Sequence, residues 1–230
     1  MLILCVDTAT PQVGVSIGTE VDVMGQVRLT QGRRHVEQLA PAIRYLCDEL
    51  GVTLDQLAAI GVDLGPGLFT GLRVGVTTAK VMAHVLRIPV IGIPSLDLLA
   101  FSARYSDKLV VPVVDARRGE VFYAFYRAVP GGIQRISQYE VSSPQDLSYE
   151  LMARGEEALM VGDGARLYEG CFNEIKRIEL CSPYLAYPGP GALLELAVER
   201  YQREEFSTPW EIEPLYLRKS DAEINWEREH

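Results

Sequence analysis

The 230-residue sequence has few of the residues from which metal sites are built. It contains three histidines, His35, His84 and His230, and none of them forms an H-x-x-x-H or H-E-x-x-H pair. Its four cysteines form no C-x-x-C pair, and we expect them to be small core residues. The sequence therefore gives no case for a zinc site or a metalloprotease.

Positive charge and long apolar runs are also scarce. The 22 Lys and Arg residues are outnumbered by 31 Asp and Glu residues, which gives a net charge of −9. Binding nucleic acid directly requires a basic surface, so we expect RNA contact only through a partner. The N-terminus lacks the features of a signal peptide, and no apolar run approaches membrane-spanning length. We expect a cytoplasmic protein with no membrane partner.

The most informative segment runs from Gly65 to Gly75, between an apolar run and an apolar helical pattern. This order predicts a strand, a tight glycine turn and a helix with Thr70 as its N-cap. The free amides of such a turn suit an anion, so one interpretation is a phosphate-contacting turn. The spacing Gly-x-Gly-x-x-x-Gly matches neither the dinucleotide fingerprint nor a P-loop, so a structural turn is slightly favoured.

Two helices are predicted in the first half, over about His35 to Leu50 and about Gly71 to Leu86. The apolar residues of the second helix do not form one stripe, so a single sheet would leave much of it exposed. A second, intermolecular contact surface and a helix enclosed within its own chain explain this pattern equally well.

Two strand–aspartate–turn–strand units recur along the chain. The first contains Asp7 and the second Asp115, and in each the next strand begins six residues later, at Val13 and Val121. We interpret them as an internal duplication, although chance recurrence is the alternative. The predicted class is α/β, an actin-like or sugar-kinase-like (ASKHA) fold of two ββ βαβα halves that grips nucleotide phosphates between its hairpin tips.

The predicted lobes are residues 1–106, which carry the two long helices, and residues 107–230. A last helix is expected from Gly191 to Glu204. It is expected to pack either within the second lobe or against the first lobe.

Five motifs are spread over nearly the whole chain. They are Asp7-Thr8-Ala9-Thr10, His35-Val36-Glu37-Gln38-Leu39-Ala40-Pro41, Gly65-Pro66-Gly67-Leu68-Phe69-Thr70-Gly71-Leu72-Arg73, Asp115-Ala116-Arg117-Arg118-Gly119-Glu120-Val121-Phe122 and Pro214-Leu215-Tyr216-Leu217-Arg218. Together they resemble one family, the bacterial tRNA threonylcarbamoyladenosine biosynthesis proteins called TsaB or YeaZ. The glycine turn and the Pro-x-Tyr-Leu-Arg tail are jointly specific for it. Two departures are Leu68 and Val36, which stand where the family usually has serine.

The resemblance implies a non-catalytic scaffold and activator of a related subunit, TsaD. TsaD transfers threonylcarbamoyl to adenosine 37 of tRNAs that read codons starting with A. Its two metal-binding histidines correspond to Ser95 and Leu99 here, which cannot together hold a metal. The resemblance thus implies no catalytic residue, metal or cofactor on this chain, with ATP and metal on partner subunits that include a TsaE-type ATPase.

The resemblance further implies that the first two helices bundle with those of the TsaD-type subunit, or pair with a second copy as a homodimer when the chain is alone. Transfer RNA would be met only through the complex. The expected contact residues are Val36, Ala40, Ile43, Leu72, Val76, Ala79 and Met82.

The alternative function is an independent actin-like ATPase or small-molecule kinase that uses Asp7 and Asp115. A protease is disfavoured because neither a metal site nor a Cys–His or Ser–His pair is visible. The residues that would contact a nucleotide are Asp7, Thr8, Gly67, Thr70 and Asp115.

Overall fold

The computed structural model describes residues 1–30 and 35–218, which form an α/β fold with two sheets. The strands are β1 (Ile3–Asp7), β2 (Gln12–Gly18), β3 (Gly25–Thr30), β4 (Ala59–Asp63), β5 (Val90–Ile93), β6 (Leu109–Arg117), β7 (Glu120–Tyr123), β8 (Tyr126–Val129), β9 (Gly132–Arg135), β10 (Glu140–Ser142), β11 (Ala158–Val161) and β12 (Ile178–Leu180). The helices are α1 (His35–Leu50), α2 (Phe69–Leu86), α3 (Ser95–Ser102), α4 (Pro144–Arg154), α5 (Asp163–Leu167) and α6 (Pro190–Gln202).

The first sheet has the strand order β3-β2-β1-β4-β5. Strands β3, β2 and β1 are antiparallel neighbours, whereas β4 and β5 run parallel to β1. The two parallel connections pass through α1 and α2, as parallel strands require a crossover. All five residues of β1 and of β4 are buried, because these strands are covered on both faces.

The second sheet repeats this plan. Its order is β10-β7-β6-β11-β12, with antiparallel strands on one side of β6 and parallel strands on the other. The extra hairpin β8–β9 attaches to β6 and has no counterpart in the first sheet. The predicted duplication and both predicted aspartate-bearing hairpins are therefore confirmed.

The helices cover both faces of each sheet. In the first half, α1 and α2 pack on one face and α6 on the other. In the second half, α5 packs on β6, and α3 packs on the opposite side of that strand. The last helix thus lies against the first sheet, through Leu193, Leu194 and Ala197, which are at most 1% exposed. In the described part of the chain, no helix has the length and apolar character needed to cross a membrane.

Residues 206–218 form an extended segment, here called the C-terminal strap, that runs along α2 towards its N-terminal end. Near its beginning, Ser207 exchanges two backbone hydrogen bonds with Val90. Lys80 in the middle of α2 then donates a hydrogen bond to the Ile212 carbonyl, at 3.0 Å. At the far end the Tyr216 ring lies 5.1 Å from that of Phe69. The strap accounts for part of the apolar surface of α2 that the sequence left unexplained.

The boundaries of α1 are those predicted, and Gly51 ends it with the left-handed φ of +62° that glycine adopts easily. Helix α2 begins two residues earlier than predicted. Its N-cap is Leu68, which offers no side-chain hydrogen bond, and Thr70 is an exposed residue of the first turn. The prediction of Thr70 as N-cap was therefore wrong, because the helix starts directly from the glycine turn.

Candidate functional site

Two aspartates lie side by side where the central strands of the first sheet end. Val6 of β1 pairs with Val62 of β4 in a parallel register, so the next residues, Asp7 and Asp63, are neighbours at the carboxyl edge. Their exposed fractions are only 1% and 2%. The sequence pattern identified Asp7 but not Asp63, because that pairing depends on which strands become neighbours.

The two carboxyl groups are bonded asymmetrically. Asp7 Oδ1 accepts a hydrogen bond from the Ala9 amide, at 2.9 Å. Asp63 Oδ1 accepts two, from the Gly65 amide at 2.7 Å and from the Ser95 hydroxyl at 2.6 Å. Neither Oδ2 atom receives a hydrogen bond. Burial raises the pKa of Asp7 to about 6, while burial and the Asp7 charge raise the pKa of Asp63 well above its ordinary value.

The glycine turn packs directly on the hairpin tip that follows Asp7. The Leu68 amide donates to the Ala9 carbonyl at 2.6 Å, and the Thr8 hydroxyl donates to the Gly71 carbonyl at 2.6 Å. A Cβ at Gly67 would lie 2.1 Å from the Ala9 oxygen. The hairpin tip thus takes up the Leu68 amide and the space beside Gly67, which favours the structural interpretation of this turn.

The second half places a related pair at its own carboxyl edge. Asp115 Oδ1 accepts from the Arg117 amide at 2.9 Å and from the Tyr168 hydroxyl at 3.3 Å, and Oδ2 forms a 3.1 Å ion pair with the Arg117 guanidinium. Asp163 accepts from the Asp115 amide at 3.2 Å, and its pKa is raised to about 6, chiefly by burial. Asp115 thus forms an ion pair with an arginine, whereas neither aspartate of the first pair does.

The residues expected to contact a nucleotide are only partly assembled. The structure brings Asp7, Thr8 and Gly67 together, but Asp7 and Thr8 are each 1% exposed. Thr70 lies on the exposed side of α2, and Asp115 belongs to the second carboxyl edge. The tip of the first hairpin is thus packed against the glycine turn. Contact of these five residues with a nucleotide stays a prediction.

The two positions that resembled metal-binding histidines are interior positions. Ser95 is fully buried and bonded to Asp63, and Leu99 packs in the core between α3 and the second sheet. Within residues 1–30 and 35–218, no three His, Cys, Asp or Glu side chains converge to hold a metal ion.

Comparisons with known proteins agree with this geometry. The sequence model of the family described as TsaD, tRNA N6-adenosine threonylcarbamoyltransferase, matches residues 23–226. The tRNA threonylcarbamoyladenosine biosynthesis protein TsaB of Bacillus subtilis is 28% identical over 228 residues, which cover 98% of each chain. The chain belongs to this threonylcarbamoyltransferase family as a TsaB-type (YeaZ) member.

Solved structures support the same assignment. YeaZ from Pseudomonas aeruginosa superposes with a TM-score of 0.80 at 27% identity, covering 94% of this chain and 99% of that one. The ethanolamine utilization protein EutJ from Carboxydothermus hydrogenoformans shares the fold alone, with a TM-score of 0.51 and 11% identity over 86% of this chain and 89% of that one. The predicted actin-like, sugar-kinase-like class is confirmed for this TsaB-type chain.

The contact residues expected of a TsaB-type chain need correction. Ile43, Leu72, Val76 and Ala79 are at most 7% exposed, because they face the interior of the first half. A partner cannot reach them without opening that core. Of the other three predicted residues, Ala40 is exposed, Met82 is half-buried, and the Val36 side chain falls outside the described residues.

Other residues of the same helices are exposed instead. The large apolar side chains with the greatest exposure there are Tyr45 on α1 and Val81 and Val85 on α2, at 56%, 57% and 72%. Val81 and Val85 are four residues apart and share one face of α2. These residues were not predicted, because an apolar helix does not show which of its sides meets the sheet.

Proposed function

We propose that this TsaB-type chain is a non-catalytic scaffold and activator subunit in the formation of N6-threonylcarbamoyladenosine at position 37 of tRNAs that read codons starting with A. In this proposal it binds a TsaD-type catalytic subunit. ATP, the metal ion and the TsaE-type ATPase belong to the partners, and tRNA is contacted through the complex.

The observation that carries the proposal is the interior character of Ser95 and Leu99. The chain has the fold of a transferase family, yet these two positions are filled by a buried hydroxyl and a core leucine. Neither side chain is a ligand for a catalytic metal ion. A family member that keeps the fold with such residues at the metal positions is suited to binding its catalytic relative.

The contact surface proposed for the partner is the exposed apolar side of α1 and α2, defined by Tyr45, Val81 and Val85. Two exposed valines on one face of α2 and an exposed tyrosine on α1, which contacts α2, suit a helix-to-helix contact. Ala40 and Met82 are retained from the sequence-based set as peripheral contacts. The same surface serves for a homodimer when the partner is absent.

A charge placed on this surface tests the proposal. We expect Val85→Glu to weaken binding to the TsaD-type subunit at least about tenfold, because a carboxylate would be buried in an apolar contact. The matched control is Val21→Glu, an 80% exposed valine in the β2–β3 loop, which should bind normally. Binding is measured by calorimetry, and the assemblies are identified by size-exclusion chromatography with light scattering.

The activating role is tested by adding each variant to a reconstituted tRNA modification assay. Wild type and Val21→Glu should restore modification, whereas Val85→Glu should not at equal concentration. Failure of wild-type protein to bind the TsaD-type subunit would refute the proposal. Equal binding by all three proteins would place the contact on another surface.

A further inference from the structure

The Asp7–Asp63 pair in the first half has a charge that the described residues leave uncompensated. Two ionised carboxylates at less than 3% exposure would repel each other in a region of low dielectric, which is a costly arrangement. Each also carries an Oδ2 atom that receives no hydrogen bond. Both features need an explanation, because buried carboxylate oxygens are normally paired.

The positive groups near the pair do not explain it. Arg28 on β3 is the cation that acts on Asp7, but it donates from Nε to the Gln12 side chain at 2.9 Å, and its guanidinium lies over the Tyr184 ring. Facing Asp63 from α3 is the hydroxyl of Ser95, which donates to Oδ1 and carries no charge. Among the described residues, neither carboxyl group forms an ion pair.

The two carboxyl groups follow paired residues on neighbouring parallel strands, Val6 and Val62, and each has one buried oxygen without a hydrogen bond. Both Oδ1 atoms accept hydrogen bonds from amides, so the Oδ2 atoms are the oxygens that still need a partner. Two carboxylates cannot bond to each other, since each is only an acceptor. One added proton makes one of them a donor and removes half of the negative charge.

We propose that Asp7 and Asp63 share a single proton between their Oδ2 atoms, and that this proton fastens the first hairpin tip to the glycine turn. The proton comes from solvent and returns to it. The sequence of contacts runs from β1 through Asp7 to Asp63, and from Asp63 through its bond with the Gly65 amide into the turn before α2. Loss of the proton leaves two like charges in contact and loosens this connection.

The proton shared by Asp7 and Asp63 adds to other contacts that hold the start of α2. Next to the pair, the Thr8 hydroxyl bonds to the Gly71 carbonyl, and the Ala9 carbonyl accepts from the Leu68 amide. These hydrogen bonds tie the same two segments together with neutral groups that do not titrate. The shared proton therefore makes one part of this junction sensitive to pH, while the rest of it is not.

Carbon-detected NMR of the aspartate carboxyl groups between pH 4 and pH 9 tests the proposal on the whole chain. We expect the pair to keep one proton near neutral pH and the Asp7 carboxyl to titrate near 6. In Asp7→Asn the neighbouring charge that helps to raise the Asp63 pKa is removed and the new amide can donate to Asp63 Oδ2, so the Asp63 pKa should fall. The matched control Asp115→Asn, at the equivalent position of the second half, should leave the Asp63 pKa unchanged.

The proposal is overturned if both carboxyl groups of the wild-type protein are ionised at pH 7, or if Asp7→Asn does not lower the Asp63 pKa. A third contrary result is a saturable change of both carboxyl signals on adding Mg²⁺ at pH 7, since a cation would then fill the place assigned to the proton. The wild-type titration decides the matter even if a variant folds poorly, and none of these results depends on the partner subunit.

Discussion

The two halves of this chain share a strand order, but different groups surround the buried aspartates of each half. Asp7 and Asp63 are enclosed with two unbonded oxygens, whereas Asp115 has both an arginine and a tyrosine as partners. The repeated backbone places a carboxyl pair at the same edge of each sheet. The side chains around it then decide whether the charge is removed by a proton or balanced by a guanidinium.

The halves also differ in the helix that follows the second aspartate. Helix α2 has 18 residues and carries exposed valines, while the corresponding α5 has five residues. A longer helix offers more surface after one face is committed to the sheet. This difference places the proposed contact surface in the first half.

The largest expected effect concerns the glycine turn of the first half. In Gly67→Ala the new Cβ would lie 2.1 Å from the Ala9 backbone oxygen, so the hairpin tip and the turn must separate. We expect a loss of about 3 kcal/mol or more in the free energy of unfolding. For a protein of this length that lowers the melting temperature by roughly 6–12 °C, measurable by calorimetry.

The control is Gly119→Ala, in the turn of the second hairpin. Gly119 has a φ of +77°, and a Cβ added there would meet no neighbouring atom within 4 Å, so only backbone strain opposes the substitution. A loss of about 1 kcal/mol is expected. Equal losses for the two variants would contradict the view that the first turn is limited by packing.

The next effect concerns the pH dependence of the second pair. The pKa of Asp163 is about 6 in the folded chain against about 3.9 when unfolded, so the folded state binds more protons between these values. The contribution of Asp163 to the free energy of unfolding is fully present below pH 4 and is lost as the pH rises through 6. Asp163→Asn has no such loss. Relative to wild type, its free energy of unfolding should therefore rise by on the order of 2 kcal/mol between pH 4 and pH 7.

Denaturant unfolding at several pH values measures this gain. The comparison variant is Asp63→Asn. Its free energy of unfolding relative to wild type should keep rising above pH 7, because the neighbouring Asp7 charge raises the Asp63 pKa further. Curves for Asp163→Asn and wild type that stay parallel from pH 4 to pH 7 would show that Asp163 is ionised throughout.

The hairpins, the helix α1 and the duplication were predictable because they depend on local signals. Asp7 and Asp115 each end an apolar run and precede a turn, and α1 has regular apolar spacing before Gly51. The pairing of Asp7 with Asp63 was not predictable, because it requires the order of strands in the sheet.

The exposed apolar side chains of α1 and α2 were not predicted for a related reason. Leu72, Val76 and Ala79 follow helical spacing, but that spacing marks equally well the side of α2 that meets the sheet. The strap could not be anticipated either. Its contacts with Lys80 and Phe69 join segments more than 130 residues apart in the sequence, and an extended tail has no periodicity that reveals its partner.

The smallest expected effect tests whether the arginine of the second half does what the proton is proposed to do in the first. The Arg117 side chain is 57% exposed, so its ion pair with Asp115 is partly screened by water. We expect Arg117→Ala to cost less than about 1 kcal/mol at low salt, and about 0.5 M NaCl should remove most of the difference.

Alanine is the informative replacement at this position. Arg117 has a φ of +65°, and alanine keeps the same backbone strain because it retains a Cβ, so the change isolates the guanidinium. The Asp163 pKa should rise further, since Arg117 lowers it in the wild type. Asp7 and Asp63 should titrate as before. A shift in the pKa values of Asp7 and Asp63 on removal of Arg117 would mean that the titration of one carboxyl pair depends on the residues around the other. The two pairs would then not be electrostatically independent.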